Sequence, residues 1–216
     1  MPRLFTLIPL LFAAPLQAAD GLGMTFGNNS NESTGDGVVF VTCHGLPRTE
    51  GGSCNPYSGD TSCATRLPLL CLEVDGRPRP PGLLLPPAGS AAAMPSNFYA
   101  GWAAGRVAAT SPIAGHDLRS AQAADTICRN KFGHGWRMAE FHDGIVDAAG
   151  NHGGWAWYAH GQLDTSTRYW VRINDQPGNC WDGVEDGGLQ AGRGTRPKKS
   201  DGKQPVHKIA VPEKVD

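Results

Sequence analysis

The densest group of chemically reactive side chains lies in the stretch FGHGWRMAEFHDG, residues 132–144. Histidine and carboxylate side chains within reach of one another bind zinc or transfer protons, as a secreted metal-dependent hydrolase requires. The candidates are His134, Glu140, His142 and Asp143. Their spacing matches no fixed-face motif such as H-E-x-x-H. The pattern therefore favours the alternative interpretation, in which glycines turn the chain after a helix and the apolar side chains enter the core.

A second candidate site is the segment GGWAWY, in which Trp155 and Trp157 alternate with Ala156. Alternation in an extended chain places the two rings on one face. Exposed rings would form a platform on which a sugar or a peptide stacks, whereas buried rings would belong to the core of a small domain. The sequence leaves both interpretations open.

Oxygen-bearing side chains gather in the loop that follows the aromatic strand YWVRI. They are Asn174, Asp175, Gln176 and Asn179. These residues are the best candidates for binding a ligand or calcium, although ordinary turn chemistry explains the same composition. Apart from this calcium alternative we expect no cofactor.

Covalent catalysis finds little support in the sequence. There is no G-x-S-x-G elbow and no glycine-rich phosphate loop after a strand. If all cysteines are paired, no thiol remains as a nucleophile. The absence of these motifs favours a binding protein over an enzyme.

The first 19 residues have the three parts of a secretory signal. Arg3 gives a cationic start, the run LFTLIPLLFAA is apolar, and Ala18 and Ala19 suit a signal peptidase. An uncleaved membrane anchor is the alternative, but the apolar run is shorter than the roughly 20 residues that span a bilayer. We therefore expect a secreted or periplasmic protein without a transmembrane segment in its mature chain. The net charge of −1 gives no indication of nucleic-acid binding.

Six cysteines follow this signal, and an even number in an exported chain predicts three disulfides. Zinc ligation is the alternative, but no C-x-x-C pair is present. A proline-rich stretch separates the first four cysteines from the last two. This spacing favours two bridges among the first four and a third between the last two. In chain order the six are Cys43, Cys54, Cys63, Cys71, Cys128 and Cys180.

Composition divides the exported chain into four parts. Residues 20–75 form a cysteine-rich, loop-rich segment that begins with a loose arm, and residues 76–97 form a connector rich in proline and alanine. Residues 98–182 form a compact domain with a helix over residues 120–131. Residues 183–216 form a glycine-rich polar tail.

The compact domain resembles a C-type-lectin-like domain in the order of its motifs. A helix of the form S-x-x-A-x-x-x-C, here with one extra residue between Ser120 and Cys128, leads into Gly-Trp-x-Met-Ala. The strand YWVRI and a Cys-Trp pair follow. The resemblance implies an α+β fold in which residues 170–173 take the place of the family's W-I-G-L core strand. It also implies a bridge from the helix cysteine to the far end of the domain.

The chain departs from this family where its sugar-binding members hold calcium. Those members carry Glu-Pro-Asn or Gln-Pro-Asp and a later Trp-Asn-Asp, whereas this chain has Gln176-Pro177-Gly178 and no Trp-Asn-Asp. Calcium takes roughly six to eight oxygen ligands, so a family-type sugar site is not expected. Similarity of fold would not by itself bring the activity with it.

Together these features predict a small disulfide-bonded α+β protein, with a C-type-lectin-like domain preceded by a cysteine-rich segment. The expected function is non-catalytic binding of a glycan, a peptide or an extracellular surface protein, at the cell envelope or outside it. The metal-dependent hydrolase is the alternative, and a purely structural envelope component is a third option. The predicted ligand-binding residues are Trp155, Trp157, Asn174, Asp175, Gln176 and Asn179.

Overall fold

A computed structural model of the protein describes residues 21–30, 35, 37–45, 54–83, 85 and 100–182. The predicted signal segment (1–19), the polar tail (183–216) and much of the connector lie outside the described residues. The described residues all fall within one compact unit.

Eleven strands and one α-helix make up the described chain. Strands account for 40% and helix for 11% of it. In chain order they are β1 (Leu22–Gly23), β2 (Thr25–Asn28), β3 (Val38–Thr42), β4 (Thr61–Ser62), β5 (Arg66–Val74), β6 (Gly101–Ala114), α1 (Ala121–Phe132), β7 (Trp136–Met138), β8 (Gly144–Ile145), β9 (His152–Gly153), β10 (Ala156–Gly161) and β11 (Arg168–Trp170).

Six of the strands close on themselves in the order β5, β11, β2, β3, β10, β6 and back to β5. The pairs β5–β11 and β10–β6 are parallel, and the other four pairs are antiparallel. The result is a closed six-stranded β-barrel. The predicted α+β, C-type-lectin-like fold class is therefore wrong, because the described residues form a mostly β structure with a single α-helix.

Two of the barrel strands explain this error. β2 lies within the predicted loose arm, yet all four of its residues are buried. β6 is 14 residues long, but its sequence GWAAGRVAATSPIA is rich in small residues with low strand propensity. Pairing along nearly the whole length of β5 holds β6 in strand conformation. Residues 20–75 and 98–182, predicted as separate parts, thus contribute strands to one sheet.

Large apolar side chains fill the interior of the barrel. Phe26, Val41, Leu70, Trp157 and Tyr169 are all at most 1% exposed and belong to one core cluster. Burying side chains of this size contributes about 1.5–3 kcal/mol each. A well-packed core of this kind gives the loops at its surface a rigid support.

Helix α1 lies against the outside of the barrel and confirms the helix predicted over residues 120–131. The Ser120 hydroxyl accepts a hydrogen bond from the Ala123 N–H (3.1 Å), and Gly133 follows the last turn. Ala124 and Cys128 are its fully buried residues and pack in a second core cluster.

The prediction of three disulfides is confirmed, but two of the expected pairings are wrong. The structure pairs Cys63 with Cys180 and Cys71 with Cys128, where the spacing favoured Cys128–Cys180. Because β5 is a barrel strand beneath α1, its cysteine meets the helix cysteine. The third bridge, between Cys43 and Cys54, does lie within the first four cysteines.

A fully buried arginine ties distant parts of the barrel together. Arg168 in β11 donates to the carbonyls of Gly45 (2.6 Å), Thr25 (2.7 Å) and Cys43 (2.8 Å), and to the Thr25 hydroxyl (2.7 Å). Its nearest acid is Asp60, with Nη2 and Oδ2 3.6 Å apart and both side chains 0% exposed. The sequence does not predict this network, because arginine side chains are mostly exposed in folded proteins.

Candidate functional site

Two adjoining pockets contain most of the residues singled out in the sequence. The aromatic pocket has a volume of about 280 Å³ and the charged pocket about 380 Å³. His142 and His152 line both pockets, which together are called the cleft. The aromatic pocket is also lined by Pro56, Tyr57, Phe141, Gly154, Trp155, Ile173, Asp175 and Gln176. The charged pocket is also lined by Arg137, Glu140, Asp143, Arg172 and Asn174.

Trp155 forms one wall of the aromatic pocket in an uncommon backbone conformation. Its φ is 76°, and the Ala156 N–H donates to the Gly154 carbonyl (3.0 Å), which closes a three-residue turn around it. The indole stacks on His44 with ring centroids 5.3 Å apart and planes 3° apart. It also meets the edge of Phe141 at 5.5 Å. Positive φ is rare for a bulky residue, so the surrounding contacts must hold Trp155 in place.

Gly154 allows the aromatic wall to pack this closely. A Cβ at this position would overlap Cε1 of Phe141, which is itself 4% exposed. Any larger residue at position 154 would therefore displace the Phe141 ring, which supports Trp155.

Tyr57 also lines the aromatic pocket and is 61% exposed. It lies in a tight turn in which Asn55 Oδ1 accepts from the N–H groups of Tyr57 (3.1 Å) and Ser58 (3.2 Å). The Cys43–Cys54 bridge ties this turn to the chain that carries His44. Sequence reasoning missed Tyr57. The signal that could have found it is an aromatic residue in the Asn-Pro-Tyr-Ser-Gly turn beside a cysteine.

The polar side of the aromatic pocket comes from the loop after β11. Asp175 and Gln176 line the pocket, whereas Asn174 lines the charged pocket. Asn179 is buried and closes the loop, since its Oδ1 accepts from the Ile173 N–H (2.9 Å) and its Nδ2 donates to the Ile173 carbonyl (2.8 Å). The structure thus brings Asp175 and Gln176 to Trp155 and gives Asn179 a role in holding the loop.

Trp157 has a different position from Trp155, although the sequence placed both rings on one face. It is 0% exposed inside the barrel and donates from Nε1 to the Glu140 carbonyl (3.2 Å). The alternation breaks because the positive φ of Trp155 turns the chain just before β10 begins at Ala156. Trp157 therefore belongs to the core and lines neither pocket.

The carboxylates of the charged pocket accept hydrogen bonds from neighbouring groups of the protein. Glu140 Oε2 accepts from the His142 N–H (2.5 Å), and Oε1 lies 3.2 Å from His142 Nδ1. Asp143 pairs through both oxygens with Arg137 and accepts from the Glu140 N–H (2.6 Å). Each carboxylate is therefore already bound by the protein's own donors.

These contacts shift the ionisation of the Glu140–His142 pair. Burial opposes ionisation of Glu140, but the hydrogen bonds from His142 outweigh it and lower the pKa of the Glu140 carboxyl. The hydrogen bond to Glu140 raises the pKa of the His142 imidazole, against a smaller opposing effect of burial. The cleft therefore holds a cationic imidazole at pH values where an isolated histidine is neutral.

Three of the four residues of the metal-hydrolase alternative, Glu140, His142 and Asp143, line the charged pocket, and His134 does not join them. His134 is exposed in the turn after α1 and lines neither pocket. Within the part of the chain that the structure describes, no three His, Cys, Asp or Glu side chains form a group that could hold a metal ion. With Glu140 and Asp143 engaged as described, the geometry gives no support to metal chemistry at this cleft.

Comparisons with known proteins do not assign the chain to a family. No family model, curated protein or solved structure matches it. The resemblance to C-type-lectin-like domains is not tested by these comparisons, and the function has to be inferred from the cleft itself.

The Glu140–His142 pair predicts a pH-dependent contribution to stability. Because the folded pKa of His142 is raised, its contribution is complete below its ordinary pKa of 6.5 and disappears as pH rises through the folded value. Because the folded pKa of Glu140 is lowered, its contribution is complete above the ordinary pKa of 4.5 and disappears as pH falls through the folded value. The pair should therefore stabilise the fold most between pH 4.5 and 6.5.

Urea unfolding of the wild type and His142→Gln at a series of pH values measures this effect. Since 36% of the His142 side chain is exposed, solvent screening limits the difference to about 1 kcal/mol at most. His134→Gln, which replaces an exposed histidine outside the cleft, is the control for the loss of a histidine as such. An equal loss for His142→Gln at pH 5.5 and pH 9 would contradict the assignment.

Proposed function

We propose that the protein is a secreted binding protein whose aromatic pocket holds a sugar residue of a glycan. The observation that carries the proposal is the arrangement of the Tyr57 and Trp155 rings around a pocket whose polar wall is Asp175 and Gln176. Binding of a peptide or of a surface protein is an alternative outcome of the test below.

The chemistry of the pocket matches a sugar better than a wholly apolar ligand. A pyranose ring has a face of C–H groups that packs on an aromatic ring, and hydroxyls that bond to carboxylate and amide groups. A volume of about 280 Å³ lies just below the range for drug-sized ligands, roughly 300–1,000 Å³. The pocket therefore suits one or two sugar units.

The backbone of Trp155 supports a role in binding. Residues in sparsely populated backbone regions cluster at ligand-binding sites, because a rigid surround can hold a side chain where a ligand needs it. The stack on His44 and the contact with Phe141 provide such a surround. The Trp155 side chain is therefore preorganised for ligand binding.

Secretion is supported by the disulfides. The described residues contain three bridges and no free cysteine. Such bridges persist in oxidising compartments, which agrees with the predicted signal segment. Within the described ranges, no helix is both long and apolar enough to span a bilayer.

The proposal makes no use of the C-type-lectin-like fold. That fold was predicted together with a Cys128–Cys180 bridge, and the structure has neither. The proposed site also requires no calcium, since aromatic stacking, hydrogen bonds accepted by Asp175 and hydrogen bonds with the Gln176 amide supply the contacts.

Replacing Trp155 with alanine should weaken glycan binding by about tenfold or more, because aromatic anchors carry much of the energy of such sites. Asp175→Asn should weaken it as well, since the amide replaces a charged acceptor. Glycan-array screening of the wild type identifies the ligand, and isothermal titration of the wild type and variants with that oligosaccharide measures the loss.

Tyr158→Ala is the matched control, because Tyr158 stacks on Phe40 (4.5 Å) outside the cleft. It should lose a comparable ring contact and keep wild-type affinity. Normal binding by both Trp155→Ala and Asp175→Asn would place the site elsewhere. A protein that binds no glycan but captures a peptide or protein ligand would refute the sugar assignment.

A further inference from the structure

The aromatic pocket has a single carboxylate among the residues that line it, that of Asp175. This residue is exposed, and no described residue forms a hydrogen bond or a salt bridge with its side chain. Neither arginine nor lysine is among the described residues that line this pocket. The pocket therefore carries a negative charge that the described chain leaves without a salt-bridge partner.

Both arginines of the neighbouring charged pocket have acidic partners. Arg137 forms an ion pair with Asp143 through both carboxylate oxygens. Arg172 forms an ion pair with Asp125 of α1, with Nη1 and Oδ1 2.9 Å apart. These two pairs add no net charge to the cleft, so neither arginine is left to balance Asp175.

His142 lines the same pocket as Asp175 but is already paired with Glu140, whose Oε1 lies 3.2 Å from its Nδ1. Because the pKa of Glu140 is lowered and that of His142 is raised, this pair carries no net charge between pH 4.5 and 6.5. When His142 loses its proton at higher pH, the pair becomes anionic. The pair is therefore neutral or anionic above pH 4.5, and it does not cancel the charge of Asp175.

Aromatic rings beside a free carboxylate favour a cationic group on the ligand. The face of a tryptophan or tyrosine ring attracts a cation, and Trp155 and Tyr57 both line this pocket. An ammonium group has three N–H donors and no acceptor, so it also matches the carboxylate of Asp175 and the amide oxygen of Gln176. An exposed ion pair contributes little by itself, and the rings add to its effect.

We infer that the ligand of the aromatic pocket is an amino sugar, whose ammonium group is bound by the Asp175 carboxylate. This inference rests on the proposed function, because it specifies one substituent of the same sugar ligand. A neutral sugar, or an amino sugar whose nitrogen is acetylated, brings no charge to Asp175 and binds less tightly.

Matched amino and neutral sugars provide the test. The probes are glucosamine, N-acetylglucosamine and glucose, together with the corresponding galactose series, at about pH 7, where a sugar amine is largely protonated. NMR titration of the wild type should show at least one amino sugar binding about fivefold more tightly than both of its neutral partners. The preference should decrease as sodium chloride is added, because salt screens an exposed ion pair. A preference that salt leaves unchanged would contradict the role of the carboxylate.

Asp175→Asn should remove this preference, so that amino and neutral sugars bind the variant equally. Asp117→Asn is the matched control, because Asp117 is an exposed carboxylate that lines neither pocket. The control changes the net charge of the protein by the same amount and should keep the wild-type preference.

Each failure has a different pattern. If the wild type binds amino and neutral sugars equally and Trp155→Ala weakens both, the amino-sugar inference is wrong and the proposed function stands. If Asp117→Asn loses the preference as fully as Asp175→Asn, the preference comes from the net charge of the protein and the inference is also wrong. If no sugar binds to the wild type, the proposed function fails and the inference fails with it.

Discussion

Replacing Arg168 with methionine should destabilise the protein by about 3–5 kcal/mol, because it removes one partner of a buried ion pair. The Asp60 carboxylate would remain buried without its nearest cation. Three backbone carbonyls, those of Thr25, Gly45 and Cys43, would lose their donor as well. Methionine fills much of the same volume, so the measured loss of stability reflects mainly the missing hydrogen bonds and charge.

Replacing Asp60 should destabilise the protein less than replacing Arg168. Burial raises the pKa of Asp60 above its ordinary value of 3.8, against hydrogen bonds from Thr61 and Thr25 and the charge of Arg168. Asp60→Asn keeps an acceptor for Thr25 and Thr61 and removes a charge that burial already disfavours. We expect a loss of about 1–2 kcal/mol, less than half that of Arg168→Met.

Urea unfolding followed by circular dichroism, with disulfides intact, measures these changes. Arg119→Met makes the same substitution at an exposed arginine and should change stability by no more than about 0.5 kcal/mol. A loss for Arg168→Met as small as that for Arg119→Met would show that the buried network contributes little.

Removing the Cys63–Cys180 bridge should also cause a large loss of stability. The two cysteines are 117 residues apart in sequence, whereas Cys43 and Cys54 are 11 apart. A bridge stabilises chiefly by restricting the unfolded chain, by about 3 kcal/mol for a 15-residue loop and about 4.7 kcal/mol for a 100-residue loop. We therefore expect the paired alanine variant of Cys63 and Cys180 to lose about 4–5 kcal/mol.

The paired alanine variant of Cys43 and Cys54 is the internal comparison and should lose about 3 kcal/mol or less. Its second effect should appear in ligand binding, because this bridge holds the turn that carries Tyr57 at the rim of the cleft. Non-reducing peptide mass spectrometry of the wild type checks the three pairings directly. A peptide linking Cys128 to Cys180 would overturn the disulfide arrangement and the expected order of stabilities.

Local features of the chain were predictable because neighbouring residues determine them. The cap at Ser120, the periodic alanines and the glycine after the last turn are enough to specify α1. The strand character of β3 and β5 shows in their runs of branched apolar residues. The even number of cysteines after an export signal likewise predicts that all are paired.

Part of the candidate site was predictable for the same reason. Trp155, Asp175 and Gln176 stand out by residue type, and the structure places all three in one pocket. Tyr57 could not be assigned to that pocket from spacing, because nearly a hundred residues separate it from Trp155. Arg172 was read only as part of the aromatic strand, since its ion pair depends on Asp125 in a distant helix.

The sequence by itself therefore determined the helix, the strand-forming runs and the number of disulfides. Only the tertiary structure decided which strands pair, which cysteines meet and which polar groups share the cleft. Each of those contacts joins residues far apart in the chain, as when β5 lies beside β6 and α1 covers β5. Their energies arise when the barrel closes, and no single segment of the sequence contains them.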